Sequence, residues 1–184
     1  MTLRPLVVTL LSAWVAVPSV AIAALAARPG ARVSFSAAGP AGMKINGTTS
    51  DLSTSDDGQT VIVTVPLAHL ATGIELRDKH MREKYLEVQT YPTASLSVPR
   101  SAVAFPAVGA TQTSDLHGTV TLHGQTRPST FHYSATNDGG VYRVDATVHI
   151  DMRDFGIVVP SYLGITVKPD VDVEVQFTAA PTAN

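Results

Sequence analysis

Seven formal charges fall between Arg77 and Glu87: Arg77, Asp78, Lys79, Arg82, Glu83, Lys84 and Glu87, with His80 among them. The chemistry open to such a set is electrostatic. Arg77, His80 or Arg82 at the mouth of a pocket can hold a polar head group. Alternatively, Arg77 and Asp78 can pair and fix the way the chain turns into a helix. Four histidines elsewhere, His117, His123, His132 and His149, fall in strand-like segments. Imidazoles on neighbouring strands could share a metal ion. Their places in the alternation put all four outward, which makes solvated surface histidines the simpler expectation, with no metal ligands assigned. Nucleophilic chemistry finds little support. The chain has no cysteine, no Gly-rich phosphate loop, no His-Glu-x-x-His helix and no Gly-x-Ser-x-Gly elbow. No spacing links Ser, His and Asp into a triad. The sequence therefore reads as non-catalytic, with no catalytic residues.

The elements that must position these groups are mostly short and β-like. Thr72 precedes Glu75 by three, the spacing of a capping box. From Arg77 the apolar period lengthens, and Met81, Tyr85 and Leu86 can form one packing stripe of a short helix that ends before Pro92. Around it, Val33–Ala37, Gln59–Leu67, Ala94–Val98, Leu116–Leu122, Thr130–Thr136, Val141–Ile150 and Gly164–Ala179 read as strands. Met43–Ser50 alternates less cleanly. Asp51–Gly58 reads as a polar link, Gly124–Pro128 as a turn or short loop, and Asn137–Gly140 as a tight hairpin. About eight antiparallel strands with one helical insert predict an all-β closed barrel or a sandwich. Inward residues are mostly Val, Ala and Leu, which leaves room for a ligand. A packed structural or interaction barrel with no ligand is the alternative, and a histidine-based metal protein is a further one.

The first 26 residues read as a cleaved secretory signal peptide: Arg4, the apolar run Leu6–Val17, a break at Pro18, and small residues at Ala21-Ile22-Ala23 and Ala24-Leu25-Ala26. Cleavage after Ala23 and after Ala26 both fit. Pro18 and the small-residue tail argue against an uncleaved membrane anchor. The mature chain, 27–184, is then one periplasmic or secreted domain, with twelve Lys and Arg against fifteen Asp and Glu. That balance gives no basic footprint for nucleic acid. Export without cysteine excludes a disulfide-stapled fold and a thiol nucleophile.

Three segments together resemble the YceI-like family of exported bacterial proteins. They are Thr72-Gly73 with Arg77–Arg82, Tyr85–Val88 and Tyr91-Pro92; Gly118–Pro128; and Arg153–Ile157 followed by the acidic strand around Val171–Phe177. The resemblance implies an extended eight-stranded antiparallel lipocalin-like barrel with one short helical insert. It also implies a non-catalytic carrier of a polyisoprenoid, isoprenoid quinone or similar amphiphilic lipid, which would be its partner and its only bound group. A homodimer is left open. Met81, Tyr85 and Ala94-Ser95-Leu96 stand where the family commonly has Leu, Phe and a Phe-containing run, so loss of aromatic bulk could widen the pocket. The residues expected to meet ligand are Arg77, His80, Met81, Tyr85 and Leu86 on the insert. Phe35, Val63, Leu122, Phe131, Tyr133, Phe155 and Phe177 are expected on the barrel wall.

Overall fold

The computed structural model describes residues 24–162 and 165–182. The core of the expected signal peptide, residues 1–23, lies outside the described residues. The strands are β1 (Leu25–Ala27), β2 (Arg32–Ala38), β3 (Lys44–Thr49), β4 (Ser53–Asp56), β5 (Thr60–Pro66), β6 (Thr93–Pro99), β7 (Thr111–Leu122), β8 (Gln125–Asp138) and β9 (Val141–Asp151). They are followed by β10 (Ser161–Tyr162), β11 (Ile165–Thr166) and β12 (Asp170–Pro181). A helix α1 (Glu75–His80) runs directly into a π-helical turn, Met81–Tyr85. Among the described residues no helix is long and apolar enough to cross a membrane.

The closed eight-stranded barrel expected from the sequence does not form. Ten antiparallel strands build one sheet in the order β3-β2-β12-β9-β8-β7-β6-β5-β4, with β1 joining the far end of β12. The sheet curls into an open half-barrel whose edges stand 12 Å apart. The two edge strands account for this. β3 is KINGTT and β4 is STSD, short and polar, with Gly47 inside β3. Short polar edges favour side-chain hydrogen bonds and solvent over continuous ladder pairing. Local ties do connect the ends. Thr48 and Ala71 exchange backbone bonds of 2.8 and 3.0 Å. The Thr54 hydroxyl accepts from the Ala27 N–H at 2.7 Å, and Asp56 accepts from the Leu25 N–H at 3.2 Å. The stretch expected to be a polar link therefore contains a strand.

Alternation governs the long strands. Leu116, Val120 and Leu122 of β7, and Phe131, Tyr133 and Ala135 of β8, are buried. Their neighbours Asp115 and His132 pair at 2.8 Å outside. β8 and β9 join through Gly139-Gly140, both at positive φ, as a two-residue hairpin of this twist requires. The expected loop Gly124–Pro128 is instead mostly strand: the turn is His123-Gly124, and Pro128 pairs with Thr119. β9 pairs with β8 only from Phe131 onward, so Pro128 lacks an N–H on a side with no partner.

One end of the half-barrel is sealed. Arg100 lies against Asp56 at 2.9 Å, and Arg100 also stacks 3.8 Å from the Phe105 ring centroid. Phe105 meets Tyr142 edge-on at 5.4 Å. The Tyr133 hydroxyl accepts from the Ala104 N–H at 2.9 Å, and the Asn137 amide donates to the Pro106 carbonyl at 2.9 Å. These bonds satisfy polar groups that the sealed end would otherwise bury unpaired.

Candidate functional site

The opposite end carries the helix and a cavity. The cavity holds about 520 Å³, within the size range of small-molecule sites. Its wall is aliphatic and aromatic. Phe35 (β2), Val63 (β5), Leu122 (β7) and Phe131 (β8) line it, and Met81, Tyr85, Leu86, Arg77 and His80 face it from the insert. Nine of the twelve residues expected to meet ligand are therefore brought together. The other three are not. Tyr133 and Phe177 lie deeper, against a second pocket of about 90 Å³ at the sealed end. Phe155 is 2% exposed and packs into the core from the end of the short helical turn Met152–Phe155.

The insert is anchored through Thr72. The Asp78 carboxylate, buried, accepts from the Thr72 backbone N–H at 2.7 Å and from the Thr72 hydroxyl. Arg77 donates from Nε to the Thr72 hydroxyl oxygen at 2.7 Å and from Nη2 to the Thr72 carbonyl at 3.0 Å. Arg82 donates to the Leu70 carbonyl at 3.0 Å. Burial pushes the Asp78 carboxyl up, but its bonds to Thr72 and the charge of Arg82 outweigh that and hold it below the usual carboxylate range. The expected capping box does not form. Ile74 occupies the N-cap without a side-chain bond, and Thr72 serves Asp78 instead of Glu75. Arg77 and Asp78 do not pair with each other; both meet Thr72. The bonds of Arg77 hold the turn before α1, and His80 stands exposed at the cavity mouth.

Several cavity residues carried no clear sequence signal. Met43, Ile74 and Leu76 rim the mouth yet are well exposed, Leu76 at 59%. Ile74 and Leu76 sit within a charged stretch, where an apolar periodicity of two residues is too short to read. Leu70 and Ile157 are buried in loops that have no period at all, whereas Leu67 and Val167, expected within strands, are buried just beyond the ends of β5 and β11. A glycine also shapes the wall: a Cβ on Gly47 would overlap the ring of Phe35, its cross-strand neighbour, so the aromatic lies flat over β3 because position 47 is bare.

The strand histidines do not form a common site. His117 meets Thr130 at 3.1 Å, His132 meets Asp115, and His149 meets Asp172 at 2.8 Å and Asp170 at 3.4 Å, all on the outer face. The bond to Asp172 raises the His149 pKa, Asp170 adds to it, and slight desolvation opposes both. His123 departs from the expectation that it points outward. It sits in the β7–β8 turn at φ 50°, its Nδ1 3.1 Å from the Phe155 carbonyl and its ring 4.5 Å from Tyr91. Its Nε2 is buried without a hydrogen bond, Glu87 Oε1 lying 3.5 Å away. Among the described residues no group of three or more His, Asp or Glu is arranged to hold a metal ion.

Known proteins share this architecture. A solved polyisoprenoid-binding domain from Saccharophagus degradans, implicated in plant cell wall breakdown, superposes with a TM-score of 0.73 at 19% identity, over 88% of this chain and 100% of that one. BcnA of Burkholderia cenocepacia superposes with a TM-score of 0.63 at 16% identity, over 80% of this chain and 95% of that one. At these identities the likeness speaks for the fold. A UPF0312 protein of Pseudomonas savastanoi is 32% identical over 148 residues, 77% of this chain; the match spans 66% of that relative's length. A UPF0312 protein of Pseudomonas syringae matches to the same extent. The YceI-like domain profile matches residues 28–179, and the chain belongs to the YceI-like family.

Proposed function

We propose that the protein is a non-catalytic carrier that takes the apolar chain of an amphiphilic lipid, of isoprenoid type, into the half-barrel. The observation that carries this reading is the roughly 520 Å³ cavity with an almost wholly apolar wall, open at the helix end and sealed at the other. A water's share of liquid volume, about 30 Å³, serves as a rough measure per heavy atom. On that measure the cavity holds about seventeen heavy atoms, or three isoprene units and a small polar end. Burial contributes about 0.8 kcal/mol per CH₂, whereas one rim hydrogen bond contributes about 1 kcal/mol. The lining therefore sets affinity, and the charged insert governs access and head-group orientation. The polyisoprenoid-binding domain of similar fold adds support by analogy. The signal-like leader supports a periplasmic or secreted location.

Native mass spectrometry of protein purified without detergent tests the reading. The expected result is a one-to-one adduct of lipid mass, or stoichiometric uptake of a prenyl alcohol by stripped protein. Protein that carries nothing and takes up nothing would overturn it.

A further inference from the structure

The interior of the half-barrel is divided in two, and the division is a single layer of side chains. Val63, Leu96, Phe131, Ala146 and Val175 line both the large cavity and the 90 Å³ pocket beneath it. They come from β5, β6, β8, β9 and β12, one residue per strand. Cross-strand pairing sets Val63 level with Leu96, and Ala146 with Val175, while Phe131 pairs with Val148, two residues along β9 from Ala146. Phe131 is the one large residue of the five and is 2% exposed. Its ring has room because Gly118 presents no side chain; a Cβ there would press on Val98, on the Ser97 carbonyl and on the Phe131 ring.

We infer that Phe131 is the floor of the binding cavity and sets the length of apolar chain the protein takes in. The inference rests on the proposed carriage of such a chain. Above the floor there is room for about seventeen heavy atoms at roughly 30 Å³ each. Removing the ring vacates the space of six carbons, and the lower pocket adds about three more at the same volume. The opened cavity would thus accept nearly two further isoprene units. Tyr133 and Phe177, which line only the lower pocket, then become ligand contacts.

The test is calorimetric titration of the whole exported protein with geraniol, farnesol, geranylgeraniol and geranylfarnesol. Affinity should rise about fourfold per added carbon while the chain stays inside, then level off once further carbons remain in water. The wild type should level off at farnesol. Phe131→Ala should level off near geranylfarnesol, with Phe131→Leu shifted in the same direction. Val173→Phe, on β12 across Val148 from Phe131 and lining only the large cavity, should level off at geraniol. Circular dichroism identifies variants that fold, and Phe131→Leu and Val173→Phe carry the test if Phe131→Ala does not. The same plateau in every folded variant overturns the floor while leaving the carrier reading intact. A wild type that binds none of the four alcohols overturns the carrier reading itself, and the floor with it.

Discussion

Replacing Asp78 by Asn should loosen the helical insert without unfolding the sheet. The carboxylate accepts two bonds from Thr72, one from the backbone N–H at 2.7 Å and one from the hydroxyl. Both bonds end on Oδ1, so Asn keeps the accepting oxygen and loses its charge. A hydrogen bond to a charged group contributes about 1.5–3 kcal/mol and a neutral one about 0.5–1.5 kcal/mol; over two bonds the loss is about 1–3 kcal/mol, so local opening of 75–85 should become about five- to 150-fold more frequent. Hydrogen exchange followed by mass spectrometry reads this directly. Amides of 75–85 should exchange faster by that factor, while those of β7, β8 and β9 keep their rates. Unchanged protection of the insert would refute the anchoring role of Asp78, and equal acceleration everywhere would show that the residue supports the whole fold instead. The pH dependence has a definite sign. Asp78 has a depressed folded pKa, so its contribution is complete above the ordinary carboxylate value of about 3.9 and disappears as pH falls through the lower, folded value. Insert protection in the wild type should therefore fall in strong acid, and the Asn variant should not show that fall.

Three further outcomes follow from other parts of the molecule. Arg100→Met leaves the carboxylate of Asp56, 1% exposed, without its cation. Urea denaturation should show a loss of about 3–5 kcal/mol, and a loss below about 1 kcal/mol would mean the seal does not depend on this pair. His149 has a raised folded pKa, so its pairing stabilises fully below about 6.5 and fades as pH rises through the folded value. The melting temperature of wild type over His149→Gln should be slightly higher at pH 5.5, and the difference should shrink by pH 8. Finally, Leu25–Ala27 pairs with Ala179–Pro181. On the proposed exported location, a cut after Ala26 would remove two of the three β1 residues and a cut after Ala23 would keep all three, so intact-mass measurement of protein collected from the periplasm or medium should find Ala24 as its first residue, and a start at Ala27 would contradict this.

Much of the sheet was legible because its long strands alternate strictly. Leu116, Val120 and Leu122, with Gly118 in the gap, and then Phe131, Tyr133 and Ala135, fall on every second position and face inward as that period dictates. The insert was legible from the change of period at Met81 and Tyr85, although it starts at Glu75. Openness was not, because closure depends on which partners β3 and β4 find across the gap, and no local pattern encodes that. β4 itself was hidden: Ser53-Thr54-Ser55-Asp56 has no apolar alternation, and its order comes from β5 and from bonds to β1. His123 was misplaced because a two-residue turn rotates it out of the strand's alternation. In the cavity, wall residues on strands were readable by face. Tyr133 and Phe177 share those faces, but depth along the half-barrel, which puts them below the floor, is a property of register between five strands.

Photolabelling with farnesol carrying a diazirine on its terminal unit, followed by peptide mapping, measures where an apolar chain sits in the protein. Labels on Phe131, Val63 or Leu96, at the bottom of the cavity, are the predicted result. Labels confined to outward-facing positions such as His132 or Glu174, or no labelling above that of heat-denatured protein, would contradict it.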